Sequence, residues 1–437
     1  MTQPEPAEID ALANPRQFLI ALFESAVAAA DPRRVLADFL PDNTGRKAIV
    51  IGAGKAAASM AASLEQHWQG PLSGLVVTRY GHQLPCEKVE VVEASHPVPD
   101  TMGEIVSKRI LDLVTGLSAD DLVICLISGG GSSLLSLPAP TLTLSDKQSI
   151  NKALLKSGAT IGEMNCVRKH LSAIKGGKLA AACYPAEVIT FAISDVPGDE
   201  PTVIASGPTV ADPSTSTQAL SILQKYGIAV PENVNAWLHG ALSETIKPGD
   251  PKLDNCSFKM IATPNQSLQA ARIMCEAAGL ATLVLGDDIE GESKEVAKVH
   301  AGIARSIIKH KQPVAPPCII LSGGETTVTV KGNGRGGRNA EFLLSLAHCL
   351  QGEPNVYALA GDTDGIDGSE DNAGALLSPD SWQRGLDAGL DAAALLENND
   401  GYGYFETLGD LHITGPTLTN VNDFRAILVL PEEDNAS

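Results

Sequence analysis

Aromatic residues are scarce in this sequence. Phe, Trp and Tyr supply 4% of its 437 residues, so any core must be built chiefly from Ala, Leu, Val and Ile. Long apolar runs are also lacking. The longest, such as "LVICLI" at 122–127, are strand-sized, against the roughly 20 residues that a membrane span needs. Positive charge is in deficit: 32 Lys and Arg face 52 Asp and Glu, a net −20. Such a body repels nucleic-acid backbones and anionic bilayers, which excludes both as sequence-independent partners. Eight cysteines are present, at 86, 125, 166, 183, 256, 275, 318 and 349, but none in C-x-x-C spacing. That favours reduced thiols serving as small hydrophobes over a zinc or disulfide framework. The opening "MTQPEPAEID" has no basic n-region and no apolar h-region, so no signal peptide is expected and the expected compartment is the cytoplasm.

What the sequence does have is an alternation of strand and helix patterns. Apolar residues keep a helical period over 15–40, and then "KAIVIG", "GLVVTRY", "VEVVEAS", "DLVICLIS" and "AEVITFAIS" read as strands separated by helices. Residues 145–183 read as two helices broken near Met164-Asn165. "KPGDPKLDN" at 247–255 is the expected linker, and a second β/α run closes with "FRAILVL". Continuous apolar strands predict largely parallel sheets covered on both faces. Length and pattern together predict two α/β domains.

Six stretches could carry chemistry. Gly52-Ala53-Gly54-Lys55-Ala56-Ala57 reads as G-x-G-x-x-A after a strand, a variant of the dinucleotide fingerprint with a lysine inside it. It is not a Walker A loop, because position 49 is Ile and position 56 is Ala. Arg79, at the end of the next strand, would suit a 2′-phosphate. Ser128-Gly129-Gly130-Gly131-Ser132 can aim amides and hydroxyls at a phosphate. Arg168, Lys169, His170, Lys175 and Lys178 form a basic island. Within it Arg168 and Lys175 share a helix face and could bind a carboxylate or phosphate, with a solvated helix face as the plainer alternative. Asp195 follows a strand and is a candidate Mg²⁺ ligand. Gly332, Gly334 and Gly337 repeat the glycine spacing around Arg335 and Arg338, followed by the acidic loop Asp362, Asp364, Asp367. EF-hand spacing fails there, since the twelfth position is Ala373.

Phosphoryl transfer needs a phosphate cradle, cations, Mg²⁺ and an acid to orient or deprotonate a hydroxyl. A dehydrogenase leaves the Arg and Asp loops unexplained. "VIGAGKAAASMA", "SGGGSSLL", "NCVRKHLSAIKGGKLA", "SDVPGDEPTVIASGPT", "LSGGETTVTVKGNGRGGRNAEF" and "AGDTDGIDG" together resemble the class II glycerate 2-kinases, whose C-terminal part is the MOFRL domain. Relatives often carry the name hydroxypyruvate reductase, in tartrate-degradation clusters. The resemblance implies ATP- and Mg²⁺-dependent phosphorylation of D-glycerate at its 2-hydroxyl. It also implies a Rossmann-like domain at 15–246, a smaller α/β domain at 256–432, and an active site in the cleft between them. Lys55, Arg338 and Asp364 fall on the family's catalytic positions. Gly52, Gly54, Ser128, Gly129, Gly130, Gly131, Ser132, Gly334 and Gly337 are the expected phosphate and nucleotide contacts, and Arg168 and Lys175 the expected substrate clamp. The family pattern more often reads "AGTDG", so Asp362 is an added carboxylate here. Expected partners are D-glycerate and the nucleotide, with a homodimer as the assembly considered. An NADP-linked hydroxypyruvate reductase and a non-catalytic sugar-phosphate sensor are the alternatives.

Overall fold

The computed structural model describes residues 9–431. The start of the N-terminal segment and the domain limit at 432 lie outside the described residues. The chain divides into two compact units, one of Asp31–Asp195 with Asp199–Ile261, the other of the chain to Ala30, Val196–Gly198 and the chain from Ala262.

The first unit is built on a sheet of six strands: β1 (Ala48–Ala53), β2 (Leu72–Arg79), β3 (Val89–Ala94), β4 (Leu122–Ile127), β5 (Glu187–Ile193) and β6 (Cys256–Ala262), in the order β3-β2-β1-β4-β5-β6. From β3 to β5 every pairing is parallel. All six residues of β4 are buried, as the run "LVICLI" requires of a central strand covered on both faces. The helix Thr101–Leu113 starts where Asp100 accepts the Gly103 N–H at 2.9 Å. The stretch 145–183 breaks at 158–160 and 171–177, not at 164–165. Thr160 caps the helix Ile161–His170 through a capping box with Glu163, and Gly158 takes a left-handed conformation.

The second unit holds β7 (Ala281–Val284), β8 (Gly291–Glu292), β9 (Cys318–Gly324), β10 (Thr326–Thr327), β11 (Val356–Asp362), β12 (Gly374–Leu377), β13 (Leu411–His412) and β14 (Asp423–Val429). Its main sheet runs β13-β12-β11-β14-β9-β7, and only β7–β9 is parallel. The expectation of parallel strands fails here for a physical reason. Continuous apolar strands report burial on two faces, whatever the strand direction. Ile319, Leu321 and Phe424 face a core with Phe18 and Leu22, while Ile320 and Ile427 face one with Phe342.

The expected domain limits also move. The helix Pro15–Ala29 packs on the second sheet, so the chain to Ala30 belongs with the second unit. Residues 247–255 are not a linker between units. Ile246 accepts the Asp212 N–H at 2.8 Å, Asn255 accepts the Val188 N–H at 3.0 Å, and the chain then enters β6 at the edge of the first sheet. Among the described residues no helix is long and apolar enough to cross a membrane.

Candidate active site

In the first sheet β1 and β4 are neighbours whose connections leave in opposite directions, the switch point beyond which α/β sheets bind ligands. The Lys55 turn follows β1, and the triple glycine follows β4. The two loops are stitched together. Lys55 N–H donates to Gly129 O at 2.8 Å, and Ala56 N–H donates to Ser128 Oγ at 2.9 Å. Gly54 N–H donates to Val77 O and Ala57 N–H to Gly54 O. The amides from Gly54 to Ala57 are therefore all occupied by protein acceptors. A Cβ on Gly52 would sit 2.3 Å from Leu126 O. Gly54, at φ +141°, would place one 2.1 Å from Ser128 Oγ. These glycines let two loops close on each other. Gly54→Ala is expected to destabilise the fold by more than about 1 kcal/mol, read as a lowered urea midpoint with an unchanged m-value.

Ser128 is fully buried and joins the loops. Gly131 N–H donates to Ser128 O, while the amides of Gly129, Gly130 and Ser132 have no partner among the described residues. Lys55 Cγ would lie 3.5 Å from a Cβ on Gly130, which puts the lysine stem alongside this loop.

A cavity of about 220 Å³ opens beside Gly130 and Ser132 and is walled by Lys147, Asn151, Arg168 and Lys175. It brings Arg168 and Lys175 together with the triple-glycine loop. Arg168 Nε donates to Asn151 Oδ1 at 2.7 Å, and Lys175 Nζ donates to Ser132 Oγ at 2.8 Å and to Ser132 O. Burial lowers the pKa of all three cations. Lys147 falls to about 7 and Lys175 lies well below its usual range, with each further depressed by its cationic neighbours. Lys147 was not legible as a site residue, because it sits in an amphipathic helix where lysines ordinarily face water.

In the second unit Arg338 opens the helix Arg338–Leu350. Its Nε donates to Asp423 Oδ1 at 2.6 Å, its Nη2 to Asp362 Oδ2 at 2.8 Å and its Nη1 to Glu325 Oε1 at 3.3 Å. Burial opposes the charge, yet the three carboxylates hold the guanidinium well above its usual pKa. Asp362 is also the link to Asp364, whose N–H donates to Asp362 Oδ1 at 3.0 Å. Asp364 is buried, and its Oδ1 accepts the Ile366 N–H at 2.8 Å. The carboxylate that departs from the family pattern thus joins the two expected catalytic residues. Asp367 has another job. Its oxygens accept the Asn339 and Ala340 N–H groups at 3.0 and 2.8 Å and cap the helix. Burial pushes its pKa up to about 6 against those bonds. Asp423, Arg425 and Asn339 complete the network: Arg425 Nη2 donates to Asp423 Oδ2 at 2.5 Å and Asn339 Nδ2 to Asp423 Oδ1 at 2.8 Å.

The glycine loop before Arg338 differs from the expected cradle. Gly334 N–H donates to Asn398 O at 2.9 Å, and the Lys331, Gly332, Asn333 and Arg335 amides donate to side chains of 398–400. A Cβ on Gly332 or Gly334 would strike that segment at 2.3 or 2.4 Å. Gly337, pressed against Asp367, reaches a separate cavity of about 280 Å³ with Arg338, Glu341 and Asn399.

Asp195 lies two residues past β5 and is partly exposed. Among the described residues no group of three or more His, Cys, Asp or Glu side chains is placed to hold a metal ion. The donors present suit an ion that takes one or two carboxylates and completes its shell with phosphate oxygens and water. All eight cysteines are free thiols.

The chain matches two family models, one described as a domain of unknown function (DUF4147) over residues 18–239 and one described as the MOFRL family over 318–423. It is 54% identical to an Agrobacterium vitis protein provisionally named hydroxypyruvate reductase, covering 95% of this chain and 94% of that one. It is 39% identical to the D-glycerate 2-kinase of Thermotoga maritima, over 93% and 97% of the two chains. A crystal structure of glycerate kinase from Thermotoga maritima superposes with a TM-score of 0.86 at 37% identity, covering 96% of this chain and 100% of the other.

Proposed function

Because this chain belongs to the class II glycerate kinase family, we propose that it transfers the γ-phosphoryl group of ATP to the 2-hydroxyl of D-glycerate. The observation that carries this reading is the linked set Arg338–Asp362–Asp364, a guanidinium fork and a buried acid tied through one carboxylate. Lys55 and Arg338 neutralise phosphate oxygens, and three of the five Arg338 donors are engaged, which leaves two for the phosphoryl group. Asp364 orients the 2-hydroxyl and takes its proton as the new O–P bond forms and the bond to the ADP oxygen breaks. Arg168 and Lys175 hold the substrate carboxylate. Mg²⁺, when bound with the nucleotide, neutralises charge on the phosphates. Asp195 is the side chain proposed to hold it, and Asp362 adds acidic charge beside Arg338. The free thiols fit a cytoplasmic setting, which belongs to the same proposal.

The reductase alternative asks the Gly54–Ala57 amides to receive a pyrophosphate, and those amides already have protein acceptors. One experiment separates the readings. The protein is incubated with D-glycerate and ATP–Mg²⁺, and separately with hydroxypyruvate and NADPH. ADP formation without NADPH oxidation is the expected result, with Lys55→Ala lowering turnover about 10²-fold or more while folding normally. NADPH oxidation without ADP formation overturns the kinase reading, and tight ligand binding with neither reaction points to a sensor.

A further inference from the structure

The cavity beside Gly130 has a charge that a simple hydroxy acid does not match. Three cationic side chains, Lys147, Arg168 and Lys175, wall it, and no Asp or Glu among the described residues does. None of the three makes an ion pair among the described residues, in a chain of net charge −20. Lys175 is 2% exposed. Ser136 is also buried, lines the same cavity and has a hydroxyl without a hydrogen-bond partner among the described residues. Three basic side chains without an ion pair and an unsatisfied hydroxyl suit an anion of more than one charge, whose binding favours their protonated forms.

We propose that this cavity prefers a phosphorylated small organic acid to the unphosphorylated acid, with Lys147 as the residue that sets the preference. A carboxylic acid alone brings one negative charge. A phosphate monoester adds about 1.5 to 2 more at pH 7, enough to match the trio once its binding has drawn protons onto the two lysines. The inference rests on the kinase reading only in saying where such a ligand comes from: phosphorylation converts the poorly matched acid into the well matched one, so the cavity retains product.

The electrostatics of the cavity agree. Lys147 faces Glu104, Lys178 and Arg168, Lys175 faces Lys147 and Arg168, and His96 completes the titratable wall. Burial lowers the Lys147 pKa to about 7. A bound dianion restores the proton, so binding takes up protons at pH 8, and affinity falls as pH rises from 7 to 9.

The test is calorimetric titration of the full chain, without nucleotide, by D-glycerate, 2-phospho-D-glycerate and inorganic phosphate. Phosphoglycerate is expected to bind at least about tenfold tighter than glycerate. Its apparent enthalpy should vary with the buffer's ionisation enthalpy in the sense of proton uptake. Lys147→Met should remove most of the preference and the proton uptake, and Lys147→Arg should restore the preference. Equal or tighter glycerate binding overturns the proposal. So does phosphate binding alone, or an unchanged preference in Lys147→Met. Since no turnover is measured, these results stand whether or not the kinase assay succeeds.

Discussion

Arg338→Lys is expected to lower kcat by about 10²- to 10³-fold while leaving the protein folded. Lysine keeps the positive charge but offers three donors on one nitrogen. It cannot reach Asp423, Asp362 and Glu325 as the guanidinium does and still point donors at a phosphoryl group. Arg338→Ala carries a second cost. Asp423 and Asp362 are buried, and removing one partner of a buried ion pair costs about 3–5 kcal/mol because the other charge stays behind. Thermal denaturation beside steady-state kinetics separates the two effects. The lysine variant should melt between the parent and the alanine variant, which should melt well below the parent. Near-parental turnover in Arg338→Lys would show that bulk charge at this position suffices, and the role of the fork would fall.

The sequence showed where these loops lie but not always what their residues contact. The Lys55 turn and the triple glycine were legible because glycine clusters directly after apolar strands are hard to explain as plain connections. Their mutual stitching was not, since Ala56 and Ser128 are 72 positions apart and only the sheet order makes them neighbours. The glycines at 332 and 334 read as a phosphate cradle because a close backbone approach leaves the same mark in sequence whatever approaches. Here it is the segment 398–400. Asp423 and Arg425 were hidden for a related reason. They sit in a strand whose apolar run dominates the pattern, and their partners come from a helix start and the short strand β10, far away in sequence. The edge strand β6 was assigned to the wrong unit because a Pro- and Gly-containing stretch precedes it, and turns inside a unit have the same composition as linkers.

Asp364→Asn isolates the remaining chemical role. The amide keeps an oxygen to accept the Ile366 N–H, and the backbone bonds of Asp364 to Asp362 and Thr417 do not involve its side chain. The loop should therefore hold its shape. Gly365 supports this, being at φ +91° with Gly415 O only 2.1 Å from where a Cβ would lie, so the turn has little room to rearrange. What asparagine cannot do is accept the proton of the 2-hydroxyl. The expected result is a fall in kcat of about 10²- to 10⁴-fold, with KM for D-glycerate little changed and the melting temperature close to the parent. If Asp364→Asn keeps kcat within about fivefold of the parent, the acid that takes the proton lies elsewhere. Asp362→Asn is then the next variant to measure, since it is the carboxylate that touches both Arg338 and the Asp364 backbone.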